Sequence, residues 1–209
     1  MKIRLIPIVL FLWGNFLFSQ ESNTPATSRI LGIHFSSLGH NQVYQFQSLE
    51  GAPDYESDGF LVLGLNYMHY FNDGLALETG LEYGSYRLTP DHGLPSGMAT
   101  PGKALEISLM ALPLVVRAHF WKYFFLNAGV LFHADVSNHN DIDAQNGIGG
   151  MAGLGLHYKF SSGVFLFANP YFNTYSLLSF SGINNAQRLL ETGFRFGISY
   201  ELNRNQQIE

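Results

Sequence analysis

The chain reads as an all-β protein: an eight-stranded antiparallel up-and-down transmembrane β-barrel with short periplasmic turns and longer extracellular loops. Three observations predict this. Apolar residues recur with period two over successive stretches, the signature of strands with two unlike faces. The connections between those stretches alternate between tight and long. Only 13% of the 209 residues are charged, about half the share of an average soluble domain. The same composition excludes other classes. A chain that is 46% hydrophobic is too apolar for intrinsic disorder. It has no Cys, hence no disulfide scaffold and no thiolate metal site. With 11 Lys and Arg against 16 Asp and Glu, it lacks the basic excess of a nucleic-acid binder.

Residues 1–20, MKIRLIPIVLFLWGNFLFSQ, carry Lys2 and Arg4 ahead of an apolar run at 6–13 and are followed by the polar stretch 21–25. That is the layout of a secretory signal peptide. Pro7, Gly14 and Asn15 break the run well short of the about 20 residues of a spanning helix. Residues 1–20 are therefore read as a signal and 21–209 as one barrel domain.

Eight runs follow, at 29–37, 59–71, 75–88, 107–120, 124–134, 148–160, 164–175 and 188–202. In the second, Leu61, Leu63, Leu65 and Tyr67 alternate with Val62, Gly64, Asn66 and Met68. In the third, Leu75, Leu77, Leu81 and Tyr83 oppose Glu78, Gly80, Glu82 and Gly84. In the last, Phe194, Phe196, Ile198 and Tyr200 oppose Glu191, Gly193, Arg195, Gly197 and Ser199. Tight turns are expected at 72–74, 121–123 and 161–163, the first and third carrying the Gly of short hairpins. Polar loops are expected at 39–58, 89–104, 135–147 and 176–187. Short turns at one end and long loops at the other suit an outer-membrane barrel. An even strand count closes the sheet, as hydrocarbon requires.

The face opposite the Leu and Phe rows decides between a soluble barrel and a membrane one. A water-facing surface carries roughly 25–35% charged residues. Here that face is mostly Gly, Asn, Ser and His with isolated charges, which suits a narrow lumen packed with side chains. Glu78, Glu82 and Glu191 face the same interior as Arg117 and Arg195, so they are expected to form a lumen charge network neutralised by the arginines, because buried charge must be paired. Tyr67, Tyr70, Phe71, Trp121, Tyr123, Phe124, Tyr158, Phe160 and Tyr200 cluster near the short turns and are expected to form an aromatic girdle.

Residues 110–120, Met-Ala-Leu-Pro-Leu-Val-Val-Arg-Ala-His-Phe, a short turn, and 125–129, Phe-Leu-Asn-Ala-Gly, together resemble a strand pair of the outer-membrane β-barrel proteins of Bacteroidetes-type bacteria, the group that includes the PorT-like proteins. The likeness rests on a basic residue four after the Pro, here Arg117, and an x-N-x-G step in the next strand. It covers residues 107–133 and 188–202 in specific residues. It departs at Ala111, where the family carries an acidic residue, and at 203–209, which run on past the last strand. The resemblance implies a cell outer membrane location, insertion through the barrel-assembly machinery, and Pro113, Val115, Arg117 and His119 pointing inward; in that register Glu78 is expected to pair with Arg117, and Glu82 with Arg195 nearer the middle. It also raises the possibility of an envelope or secretion partner.

Other sites weigh less. Glu78 and Glu82 on one face invite an acid–base reading, but lumen charge pairing accounts for them. His34, His133 and His157 would need one common depth to share a metal. The 135–147 loop is rich in oxygen ligands but lacks EF-hand spacing. Asp91, His92, Ser137 and His139 at the rim are tied by no catalytic motif. The 147–150 Gly-rich segment has no P-loop Lys after it. The expectation is a non-enzymatic integral outer-membrane protein in contact with lipid, without cofactor, metal or nucleic acid, with a filled lumen and a structural or surface-contact role. The alternatives are an accessory subunit of a secretion or envelope-assembly machine, and a small-ligand-binding barrel.

Overall fold

The computed structural model describes residues 28–44, 54–91, 104–137, 143–180 and 187–202. The expected signal segment, His92 and His139 lie outside them. The described residues form eight strands: β1 (Arg29–Tyr44), β2 (Asp54–Asn72), β3 (Leu75–Asp91), β4 (Leu105–Phe120), β5 (Phe124–Asp135), β6 (Gly147–Lys159), β7 (Val164–Ser179) and β8 (Arg188–Glu201). Each pairs antiparallel with its sequence neighbours, and β8 pairs with β1 to close the barrel.

Local chemistry sets the three tight turns. After β2, the Asn72 side-chain oxygen accepts the Gly74 N–H at 2.9 Å. The β4–β5 turn places Trp121 at φ 54°, and the β6–β7 turn places Gly163 at φ 85°, a value at which a Cβ is strained. Prolines mark interruptions of the ladder. The β3–β4 register skips the rungs at Leu112 and Pro113, and the β6–β7 register skips Asn169 and Pro170, because Pro has no N–H to donate.

Several strands extend beyond the alternating runs at the long-loop end. β1 continues from Ser37 to Tyr44, β2 begins at Asp54 rather than Gly59, and β7 runs past Tyr175 to Ser179. Thus part of the expected 39–58 and 176–187 loops is strand. The reason is that alternation follows burial on one face, whereas the outer ends carry polar or mixed side chains that still pair through the backbone.

Along the regular parts of the strands the two faces separate cleanly. On β4, Leu112, Leu114 and Val116 point outward and Pro113, Val115 and Arg117 inward; Leu114 is 41% exposed and Val115 1%. Leu63 and Leu65 on β2, Leu126 on β5 and Ile198 on β8 continue the exposed apolar belt. Inside, an apolar cluster of Val62, Leu109, Val115, Leu131 and Met151 packs with the Tyr86, Tyr171 and Tyr175 rings toward the long-loop end, and a smaller one of Ile30, Met68, Ala76 and Phe165 packs at the turn end.

Glycine and rings fill the bore together. A Cβ on Gly155 would fall within the Phe125 ring, and one on Gly64 within the His34 imidazole. A ring folded across a strand glycine restores the packing that the missing side chain forfeits.

The outward face generates a test. Leu114→Arg should lower stability in lipid vesicles by about 2–4 kcal/mol, the cost of a charge at the midplane on a barrel's lipid face. Reversible denaturant unfolding measures it, and an unchanged midpoint would contradict an apolar-facing Leu114.

Candidate functional site: the lumen charge network

The charged residues that face inward occupy successive levels of the bore. Nearest the short turns, Arg117 on β4 meets Glu78 on β3, with Nη2 to Oε2 at 2.5 Å. Glu78 stands opposite Val115 in the ladder and Arg117 opposite Ala76, so the long guanidinium side chain spans the diagonal. Its Cζ lies 4.0 Å from the Phe125 ring centroid, which covers the cation where water cannot. Both groups are almost fully buried. Beside this level, Asn127 on β5 donates to Asn169 on β7 at 3.2 Å.

One level further in, Glu82 is shared. Arg195 Nη2 approaches its Oε1 at 3.0 Å and His34 Nε2 approaches the same oxygen at 3.2 Å. Gly64 is what allows this. His34, Gly64 and Glu82 occupy one rung across β1, β2 and β3, and the missing side chain in the middle leaves the space the imidazole takes. These are close charge contacts rather than aligned hydrogen bonds. Arg195 also lies 4.9 Å from the Tyr171 ring centroid and its Nη1 is 3.8 Å from Met151 Sδ.

Toward the long loops, Glu191 departs from expectation. Among the described residues no arginine stands within ion-pair distance of its carboxylate; instead it accepts hydrogen bonds from three tyrosines. Tyr86 and Tyr175 each donate to Oε2 at 2.8 Å, and Tyr171 donates to Oε1. Glu191 is therefore held by neutral donors, with both arginines committed to Glu78 and Glu82. Tyr86 shares inward parity with Glu78 and Glu82 on β3, so the alternation that identified the carboxylates also contains the tyrosine. His34 on β1 was legible in the same way.

A bulge in β7 closes the level above. The β6–β7 register steps from Gly150↔Thr174 to Ile148↔Leu178, which sets Tyr175, Ser176 and Leu177 against Gly149 alone, an excess of two residues. Ser176 adopts φ 52°, and both Tyr175 and Ser176 turn into the bore. His133 Nε2 accepts the Ser176 N–H at 2.9 Å, and Arg188 Nε donates to the Ser176 carbonyl at 2.9 Å.

The aromatic residues divide. Phe71, Trp121, Tyr123, Tyr158, Phe160 and Tyr200 are exposed on the outside, with Tyr67 and Phe124 half-buried among them. Trp121 packs edge-on to Phe124, and Tyr158 edge-on to Phe160. Tyr70 does not belong to this girdle. It shares the inward parity of Asn66 and Met68, packs against the Ile30–Phe165 cluster and approaches His119 Nε2 at 3.2 Å. Consecutive residues of a regular strand cannot face one way, and Phe71 takes the outward position.

The remaining candidates do not converge. His34 lies at the Glu82 level, His133 at the β7 bulge and His157 at the turn end. Among the described residues no three His, Cys, Asp or Glu side chains stand close enough to hold an ion. Asp135 accepts the backbone N–H groups of Ser137 and Gln145, and Asp143 accepts that of Gln187, so these carboxylates anchor loop bases. The Ser137 hydroxyl accepts the Ser108 N–H at 2.9 Å. The side chain of Asp91 is not among those described.

No family model matches the chain, and no curated protein matches it. Among the solved structures similar in fold are two outer membrane proteins. The crystal structure of the outer membrane protein OprG from Pseudomonas aeruginosa shares 14% identity at a TM-score of 0.55, covering 86% of this chain and 98% of OprG. The solid-state NMR structure of the outer membrane protein AlkL in DMPC bilayers shares 12% identity at a TM-score of 0.55, covering 91% of this chain and 97% of AlkL. The chain has the closed eight-stranded architecture of an outer-membrane barrel.

The Glu78–Arg117 geometry gives a double-mutant test. Glu78→Gln should destabilise by about 3–5 kcal/mol, because it strands a buried guanidinium, and adding Arg117→Met should restore most of that loss. Equal, additive losses measured by denaturant unfolding in micelles would show that the pair is not coupled.

Proposed function

We propose that this protein is an integral outer-membrane β-barrel, exported by its N-terminal segment 1–20, whose side-chain-filled lumen makes it a structural or surface-contact component of the envelope rather than a pore or an enzyme. The observation that carries this reading is the inverted polarity of the wall. Exposed Leu, Ile and Phe form the outer face while Glu78, Glu82, Glu191, Arg117 and Arg195 are buried inside, the reverse of a protein folded in water and the arrangement a bilayer demands. OprG and AlkL, which share the fold, are outer membrane proteins. The carboxylates of the bore are committed to arginine, histidine or tyrosine partners, which accounts for them without acid–base chemistry.

A second reading, an accessory subunit of a secretion or envelope-assembly machine, rests on the resemblance of 107–133 and 188–202 to PorT-like proteins. A stoichiometric partner retained through mild detergent purification supports that role, and isolation as a lone barrel counts against it.

The experiment for the main reading is membrane fractionation with electrophoresis of heated and unheated samples, followed by planar-bilayer recording. The expected results are recovery with outer membranes, a heat-dependent mobility shift and no conductance above background. A freely soluble product overturns the membrane assignment, and steady ion conductance overturns the filled lumen.

A further inference from the structure

The short-turn end of the barrel opens into a recess of about 950 Å³ lined by Tyr70, Asp73, His119, Lys122, His157 and Glu201 among others. Two histidines from alternate strands meet there: His119 of β4 and His157 of β6 have ring centroids 4.9 Å apart at an interplanar angle of 83°. In each, Nδ1 is buried with no hydrogen-bond partner. A buried imidazole nitrogen left unpaired is destabilising, so two of them side by side call for an occupant.

We infer that His119 and His157 form a two-histidine site for a borderline divalent transition metal at the turn-end mouth of the barrel, bound through their Nδ1 atoms. The spacing fits. A metal–nitrogen distance of 2.0–2.1 Å places two imidazole centroids roughly 5 Å apart at a tetrahedral angle. The surroundings fit as well. Tyr70 Oη lies 3.2 Å from His119 Nε2 and stacks on that ring at 5.1 Å between centroids. A ligating histidine characteristically donates its other ring N–H to a fixed partner, which sets the tautomer and the ring plane. With Nε2–H directed to the Tyr70 oxygen, Nδ1 carries the lone pair a metal needs. Tyr70 is thus a positioning residue. The nearest inward cation, Arg117, is neutralised by Glu78 at 2.5 Å, and Lys159 at the rim is paired with Glu201 at 2.9 Å. Neutral nitrogen donors without a carboxylate or thiolate favour Cu²⁺, Ni²⁺ or Zn²⁺ over Mg²⁺ or Ca²⁺.

Cu²⁺, the strongest binder of that series, is the probe. It is titrated into the full, untagged barrel in detergent and followed by calorimetry and electron paramagnetic resonance. The expected result is one equivalent bound with a spectrum showing two imidazole nitrogens. His119→Ala and His157→Ala should each weaken binding at least tenfold and remove one nitrogen. Tyr70→Phe should weaken it about tenfold while leaving both nitrogens in place. His40→Ala, at an exposed position on the opposite end, should change neither reading. Heat-dependent mobility verifies that each variant is folded, and Gln replacements serve where Ala does not fold. A wild-type spectrum without two imidazole nitrogens overturns the site whatever the variants do. So does stoichiometric binding that survives loss of both histidines, and so does the absence of any one-equivalent component, which would leave water as the occupant.

Discussion

Everything in this structure follows from closure of the sheet. A β-strand in hydrocarbon has no water to satisfy its N–H and C=O groups, so every strand needs two neighbours and the last must pair with the first. The β8–β1 ladder, running from Ile30↔Glu201 to Tyr44↔Arg188, supplies that closure. Once eight strands close, the bore is just wide enough to be filled by side chains and too narrow for a large inward one on every strand. The lumen must then be built from small residues alternating with large ones, and any charge within it must find a partner at its own depth.

That constraint explains how the buried residues are arranged. Gly64 leaves space for His34 to reach Glu82, and Gly155 leaves space for Phe125, whose ring in turn covers the Arg117 guanidinium. Glycine, aromatic ring and ion pair are linked parts of the packing. Removing the small residue displaces the ring, and displacing the ring uncovers the charge. The tyrosines around Glu191 do the same with neutral donors: three hydroxyls satisfy a buried carboxylate without requiring a third arginine. The inward bulge of β7 adds a last layer, fixed by His133 and Arg188 through the Ser176 backbone.

Much of this was legible in the amino-acid order because burial on one face imposes period two. Strand positions and the three tight turns follow from alternation and hairpin connectivity, whereas in the nearly continuous apolar run 107–120 the inward parity of Arg117, and with it the meeting with Glu78, rests on the resemblance of that strand pair to the Bacteroidetes-type barrels. What alternation hid has physical causes. The outer ends of β1 and β2 pair through the backbone where neither face is uniformly apolar. Tyr70 sits beside Phe71, and nearness to a turn does not reveal which of two neighbouring rings faces inward; only parity does. The tyrosine cage was present in the inward parity of Tyr86, but an acid suggests a base as its partner more readily than three phenols. The β7 bulge carries no glycine at its left-handed residue, so nothing in the local sequence announces Ser176. The His119–His157 pair depends on depth and strand tilt, which a one-dimensional pattern does not contain.

The central claim is that the apolar face looks out to lipid and the charged face looks in. Because the chain has no cysteine, single cysteines can be placed one at a time along β4 from Leu109 to Phe120, spin-labelled, and reconstituted in bilayers. Collision rates with oxygen, which concentrates in lipid, are then compared with those of a water-soluble nickel complex. The account predicts a strict two-residue alternation, with labels at Met110, Leu112, Leu114 and Val116 accessible to oxygen and those at Ala111, Pro113, Val115 and Arg117 accessible to neither reagent. Access of the nickel complex to the Leu112–Leu114–Val116 face, or loss of the two-residue period, would contradict it.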